Sequence, residues 1–142
     1  MKQSKIQYLY EVIENCVENV LSEKNHAVYE HEYKTDEQLK TRCATEKTAG
    51  ASCFNEGVDV AEKIADIIYD STIIIPWLDS KTDDDLLVVT DEENCGRKFL
   101  RSGSHVWADG ALTCTKVVLI LGKARDMAGC VTKMYVKTCY PE

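Results

Sequence analysis

The chain has no apolar run approaching the about 18 residues that a membrane-crossing helix needs. Its longest candidates are Ile73-Ile74-Ile75 and Val117 to Leu121. The polar, then amphipathic start lacks an apolar stretch followed by a small-residue cleavage site, so nothing in it reads as a signal peptide. Histidine is scarce, at positions 26, 31 and 105 only, and no HExxH occurs. Seven cysteines are present without a single CxxC, and zinc would want thiolates at short spacings. The acidic run Asp83-Asp84-Asp85 lacks the glycine and closing glutamate of a calcium loop. There is no GxSxG, no P-loop and no dinucleotide fingerprint. No metal and no cofactor are therefore expected.

What is present fits one globular domain spanning residues 1–142. That length buries a real core but is short for two comfortable ones. With 44% hydrophobic and 29% charged residues, disorder is excluded. The cysteines, at 16, 43, 53, 95, 114, 130 and 139, cannot all pair within one chain. Free buried thiols, one to three disulfides, or a catalytic cysteine remain open. Cys16 and Cys53 stand where core residues are expected, and a strand between Cys130 and Cys139 would hold that pair apart.

The net charge of −7 argues against broad affinity for nucleic acid, yet it is unevenly spread. Residues 1–95 carry 21 acids and 9 bases; residues 96–142 carry 8 bases and 3 acids. The second part is either a solvated basic face or a local phosphate site.

Residues 4–22 set Ile6, Leu9, Ile13, Cys16, Val17 and Val20 on one helical stripe. Thr35-Asp36-Glu37-Gln38 has capping-box spacing, predicting a helix from Thr35 to about Cys43. A polar link containing Gly50 follows. A third helix is expected from Asn55 to about Asp70, with Val58, Ala61, Ile64, Ala65 and Ile68 inward. Ile73 to Leu78 reads as a short edge strand or irregular crossing, because Pro76 forbids a central strand. Strands are then expected at Leu86 to Val89 and Arg97 to Arg101, with a turn at residues 91–96 between them. A loop at 103–110, a strand at Thr115 to Leu121, a connection at 122–129 and a last strand at Cys130 to Cys139 complete the chain. On that last strand alternation places Thr132, Met134, Val136, Thr138 and Tyr140 on one face. Helices first and strands later predict an α+β fold.

Several side chains could do chemistry. His26 and His31 could donate and accept protons near neutral pH, as cleavage of a phosphodiester by a ribose hydroxyl requires. Arg42 could clamp a phosphoryl group and stabilise a pentacoordinate transition state. Thr138 and Tyr140 could donate hydroxyl hydrogen bonds to a phosphate, or Tyr140 could stack on a base. Each is equally at home as an ordinary surface, packing or strand residue. Lys137 should point away from Thr138. Glu30 and Glu32 flank His31 and would favour its protonated form.

In order along the chain stand His26-xxxx-His31, Leu39 with Arg42, Ala51-Ser52-Cys53-Phe54, Ala61-Glu62, Trp77-Leu78, Gly96, Val117-Val118-Leu119 and Thr138-Cys139-Tyr140-Pro141. With these, residues 25–141 resemble the bacterial RNase A-like toxin domains at the C-termini of contact-dependent and other polymorphic toxins. Residues 1–24 form a helix ahead of that region. The chain departs from the family at Ala27 and at Glu32-Tyr33.

The resemblance implies N-terminal helices packed on a strongly bent antiparallel sheet, as in pancreatic ribonuclease, with the site in the cleft. It implies His31, Arg42, Thr138 and Tyr140 as catalytic residues, with His26 or Tyr140 as a second proton-transfer group. It implies cleavage of RNA, often tRNA, by 2′-hydroxyl transesterification to a 2′,3′-cyclic phosphate, without a metal. A monomer is expected, exported within a larger toxin, active in the target-cell cytoplasm and restrained by an immunity protein. The alternative from another class is a non-catalytic acidic binding or immunity protein, which the acidic first 95 residues would suit.

Overall fold

The computed structural model describes residues 4–22, 30–46, 50–102, 105–106 and 111–142. Helix α1 (Lys5–Ser22) is amphipathic, burying Leu9, Val12, Ile13, Cys16, Val17 and Val20. Helix α2 (Asp36–Glu46) begins at the predicted capping box. The Thr35 N–H donates to Gln38 Oε1 at 2.9 Å, and the Gln38 N–H donates to Thr35 Oγ1 at 3.2 Å. It runs three residues past the expected end. Strand β1 (Gly50–Phe54) occupies what reads in sequence as a polar link.

Helix α3 (Val60–Asp70) starts five residues later than its apolar periodicity suggests. Its N-cap is Asp59, whose side chain accepts from the Glu62 N–H, and Gly57 turns the preceding segment with φ +86°. Ile73 to Leu78 is not a strand. It gives α4 (Ile74–Asp79), with Pro76 in the first turn, where the missing N–H has no intrahelical partner to lose.

The sheet follows. The two expected strands around residues 91–96 are one strand, β2 (Leu86–Ser102). The expected turn is a bulge, with Asn94 in the left-handed region at φ 55° and a register shift between Asp91 and Gly96. Within the expected loop, β3 (His105–Val106) pairs with the end of β2. Strand β4 (Leu112–Arg125) extends well beyond the predicted Thr115 to Leu121, and β5 is Val131–Pro141.

The antiparallel order is β1-β2-β4-β5, with β3 on β2. The sheet is bent hard enough that its two ends converge. A Cβ on Gly96 of β2 would meet Cys53 O of β1 at 2.4 Å and Pro141 Cγ of β5 at 2.7 Å. Only glycine lets three strands approach there.

Helices α1, α3 and α4 cover one face, enclosing Phe54, Ile64, Ile74, Leu119, Leu121, Met134 and Cys139. A smaller cluster of Leu39, Ala51, Cys53 and Phe99 seats α2. Six cysteines are free thiols, all buried except Cys130; Cys43 is outside the described side chains. Desolvation pushes the Cys16 and Cys114 thiols up to about 11 and Cys139 to about 12, so these are core residues rather than nucleophiles.

Candidate active site

His31 lies between α1 and α2, and the end of β1 fixes it twice. The Phe54 N–H donates to the His31 carbonyl at 2.9 Å, and His31 Nδ1 lies 3.1 Å from the Ser52 carbonyl. A carbonyl only accepts, so Nδ1 carries the proton and Nε2 is left with its lone pair.

Arg42 comes from α2, one turn after the fully buried Leu39. Its Nη2 donates to Glu30 Oε1 at 2.5 Å and its Nη1 to the Glu30 carbonyl at 3.3 Å. The other Glu30 oxygen stands 4.0 Å from His31 Nε2. Arg97 steadies α2 from outside by bonding the Asp36 carboxylate and the Lys34 carbonyl.

Thr138 and Tyr140 arrive from β5, and here alternation misleads. The register passes from Ile120↔Thr138 to Leu121↔Val136, leaving Lys137 as an extra residue. Val136 and Cys139, three apart, therefore both enter the core. Thr138 and Tyr140 share a face, as expected, but not that of Met134 and Val136. The Tyr140 ring centroid is 5.6 Å from that of His31, tilted by 46°. Lys137 is held by Asp85 at 2.7 Å, away from the cleft.

These elements enclose a cleft of about 430 Å³. It is lined by His31, Arg42, Thr138 and Tyr140, together with Glu30, Ser52, Lys98, Leu100 and Glu142. Four of the five residues singled out in the sequence thus line one cavity although they span positions 31 to 140. The fifth, His26, lies outside the described residues. Nothing in the sequence marks Lys98, or Ser52 by its carbonyl, as part of the site, and Glu30 reads there only as a neighbour of His31. A role played by a backbone carbonyl has no residue-type signal. Lys98 was one of eight bases in its segment.

The net shift of the His31 pKa is downward, against the expectation from its flanking carboxylates. Burial lowers it below the ordinary 6.5, outweighing the Ser52 hydrogen bond; Arg42 lowers it further, against the opposing pull of Glu30. Burial, then the charge of Glu142, pushes the Tyr140 phenol up from 10. At neutral pH the cleft therefore holds a neutral imidazole with an open Nε2 beside a protonated phenol and a guanidinium. That is a base, an acid and a positive charge within one cavity. Among the described residues, no group of three or more His, Cys, Asp or Glu is placed to hold a metal ion.

The fold has a known counterpart. A chain of the CdiA-CT/CdiI complex from Y. kristensenii 33638 superposes with a TM-score of 0.64, covering 83% of this chain and 99% of that one. Sequence identity is 18%, so the likeness is one of fold. No family model and no curated protein matches the chain.

Proposed function

We propose that this protein is a metal-independent endoribonuclease of the RNase A-like toxin kind. The observation that carries the reading is the convergence of His31, Arg42, Thr138 and Tyr140 on one cleft.

In this reading the ribose 2′-hydroxyl gives its proton to His31 Nε2 and attacks the adjacent phosphorus. The bond from phosphorus to the 5′-oxygen breaks, and the leaving oxygen takes the Tyr140 phenolic proton. The products are a 2′,3′-cyclic phosphate and a free 5′-hydroxyl. Arg42 stabilises the charge on the phosphorane and Thr138 donates to a non-bridging oxygen. The nucleophile belongs to the substrate and Arg42 supplies the positive charge, so the reaction as drawn calls for no metal. His26 is the other candidate for the acid.

The shared fold with a chain of the CdiA-CT/CdiI complex supports a place in a toxin and immunity pair. The chain then acts as a monomer, exported within a larger toxin and active on RNA, tRNA included, in the target-cell cytoplasm. A cognate immunity protein restrains it in the producer. The acidic balance favours the second reading, a non-catalytic immunity or binding protein, but that reading gives the four converging side chains no task.

Incubating total tRNA with the purified protein in excess EDTA, beside His31→Ala, separates the two. Discrete products with 2′,3′-cyclic ends are expected, with a rate loss of about 10²–10⁴ in the variant. A folded, monodisperse protein that leaves tRNA intact would move the assignment to a binding or inhibitory role.

A further inference from the structure

An RNA substrate is a polymer, and a cleft that holds the scissile phosphate must also accept a neighbouring one. Arg42 already donates to Glu30 through both terminal nitrogens. The ammonium of Lys98, the other cation lining the cleft, makes no hydrogen bond or ion pair among the described residues. It stands on β2 directly across from Ser52 on β1, and Gly50 is paired with Leu100 one step along. Directly opposed residues on paired strands present their side chains to the same face, with Cα atoms about 5 Å apart. The Ser52 carbonyl is the group that holds His31. Lys98 is thus one strand spacing from the anchor of the proposed base, in the cavity that Thr138 and Tyr140 also line.

We propose that the β1–β2 wall of the cleft is a second nucleotide subsite. Lys98 binds the phosphate next to the scissile one, and Leu100 provides the apolar surface for its nucleoside. Lys98 binds substrate here without touching the reacting phosphate. The ligand class is single-stranded RNA backbone, a point-charge contact suited to an ammonium. The proposal rests on the ribonuclease reading.

The test uses the full chain carrying Lys98→Ala or Lys98→Arg, assayed in EDTA on a short single-stranded RNA and on a dinucleoside monophosphate, whose one phosphate is the scissile one. For the alanine variant, KM on the longer RNA should rise about tenfold and kcat should change much less. The KM penalty should shrink on the dinucleotide, and arginine should recover most of the loss. In parallel, binding of the same RNA is followed by fluorescence anisotropy in a His31→Ala background. Adding Lys98→Ala should weaken it and reduce the salt slope by about 0.7. Equal kcat losses on both substrates would place Lys98 at the scissile phosphate and overturn the subsite. Unchanged KM and salt slope in a cleaving enzyme would overturn it while leaving the ribonuclease intact. Lys98-dependent binding without cleavage would keep the subsite and sink the catalysis. Failure to bind or cleave would remove both.

Discussion

At the scale of single residues, His31 decides how the cleft works. Its ring is held by the Ser52 carbonyl, buried, and placed between the opposed charges of Arg42 and Glu30. Burial is the largest influence and favours the neutral form, so in the proposed reaction the imidazole starts as a base. The acid limb of kcat/KM should therefore fall below pH 6.5, the ordinary value for the side chain. Activity is present above the lowered pKa and is lost as pH falls through it. Replacing Glu30 with Gln removes an influence that raises the pKa, and should move the limb lower still. Replacing Arg42 with Gln removes one that lowers it, and should move the limb up while reducing kcat by about 10²–10³. A pH–rate profile of the three proteins on one RNA checks both directions. A limb above 6.5 in the unmodified protein would mean that Glu30 outweighs burial, and activity that instead falls as pH rises through the His31 pKa would make His31 the acid. The same shift weakens the fold in acid: a histidine with an ordinary pKa when unfolded binds protons that the folded ring resists, so stability declines as pH drops below 6.5.

At the scale of elements, what was legible was what local chemistry alone dictates. The apolar stripe of α1 and the reciprocal Thr35–Gln38 cap are complete within a few residues, and both helices form where they predict. Segments whose state depends on a distant neighbour were not legible. Ile73-Ile74-Ile75 favours a strand by propensity, yet α4 buries Ile74, Trp77 and Leu78 against the core. The polar run at residues 91–94 reads as a turn, but β4 pairs on both sides of it and leaves a bulge. The bulge at Lys137 likewise reverses the face of Thr138 and Tyr140 relative to Met134, since alternation cannot show an extra residue. Of the site, residue type pointed to His31, Arg42, Thr138 and Tyr140 only with the help of a family likeness. Their convergence is a property of the bent sheet. Gly96 marks that bend, so Gly96→Ala should be costly. The new methyl meets a backbone oxygen and a proline ring, neither of which swings aside, and about 1–3 kcal/mol of stability should be lost in urea unfolding. Because β1 carries the Ser52 carbonyl and β5 carries Thr138 and Tyr140, RNA turnover should fall further than the unfolded fraction accounts for. A variant that is equally stable and equally active would disconnect the bend from the site.

At the scale of the whole molecule, a net charge of −7 surrounds a cleft whose lining includes the cations Arg42 and Lys98. Several of the bases in residues 96–142 are already committed elsewhere: Arg97 to Asp36, Lys123 to Trp77 and Ser80 carbonyls, Arg125 to Asp83, and Lys137 to Asp85. Nucleic-acid affinity that rests on a broad basic surface is steeply salt-dependent, whereas affinity confined to a small pocket is not. With two phosphate contacts on a single strand, the slope of log binding constant against log salt should be about −1.4, and repulsion from the acidic remainder makes it shallower. Titrating His31→Ala with single-stranded RNA across a series of salt concentrations measures that slope directly. A shallow value fits an enzyme that selects RNA by the shape and chemistry of its cleft and gains little from long-range attraction. Its encounter rate would then hold steady or increase as salt screens the repulsion. A slope of about −4 or steeper would require several more phosphate contacts than the cleft provides. The RNA-binding surface would in that case have to extend beyond the cleft, toward exposed bases such as Lys116 and Lys133.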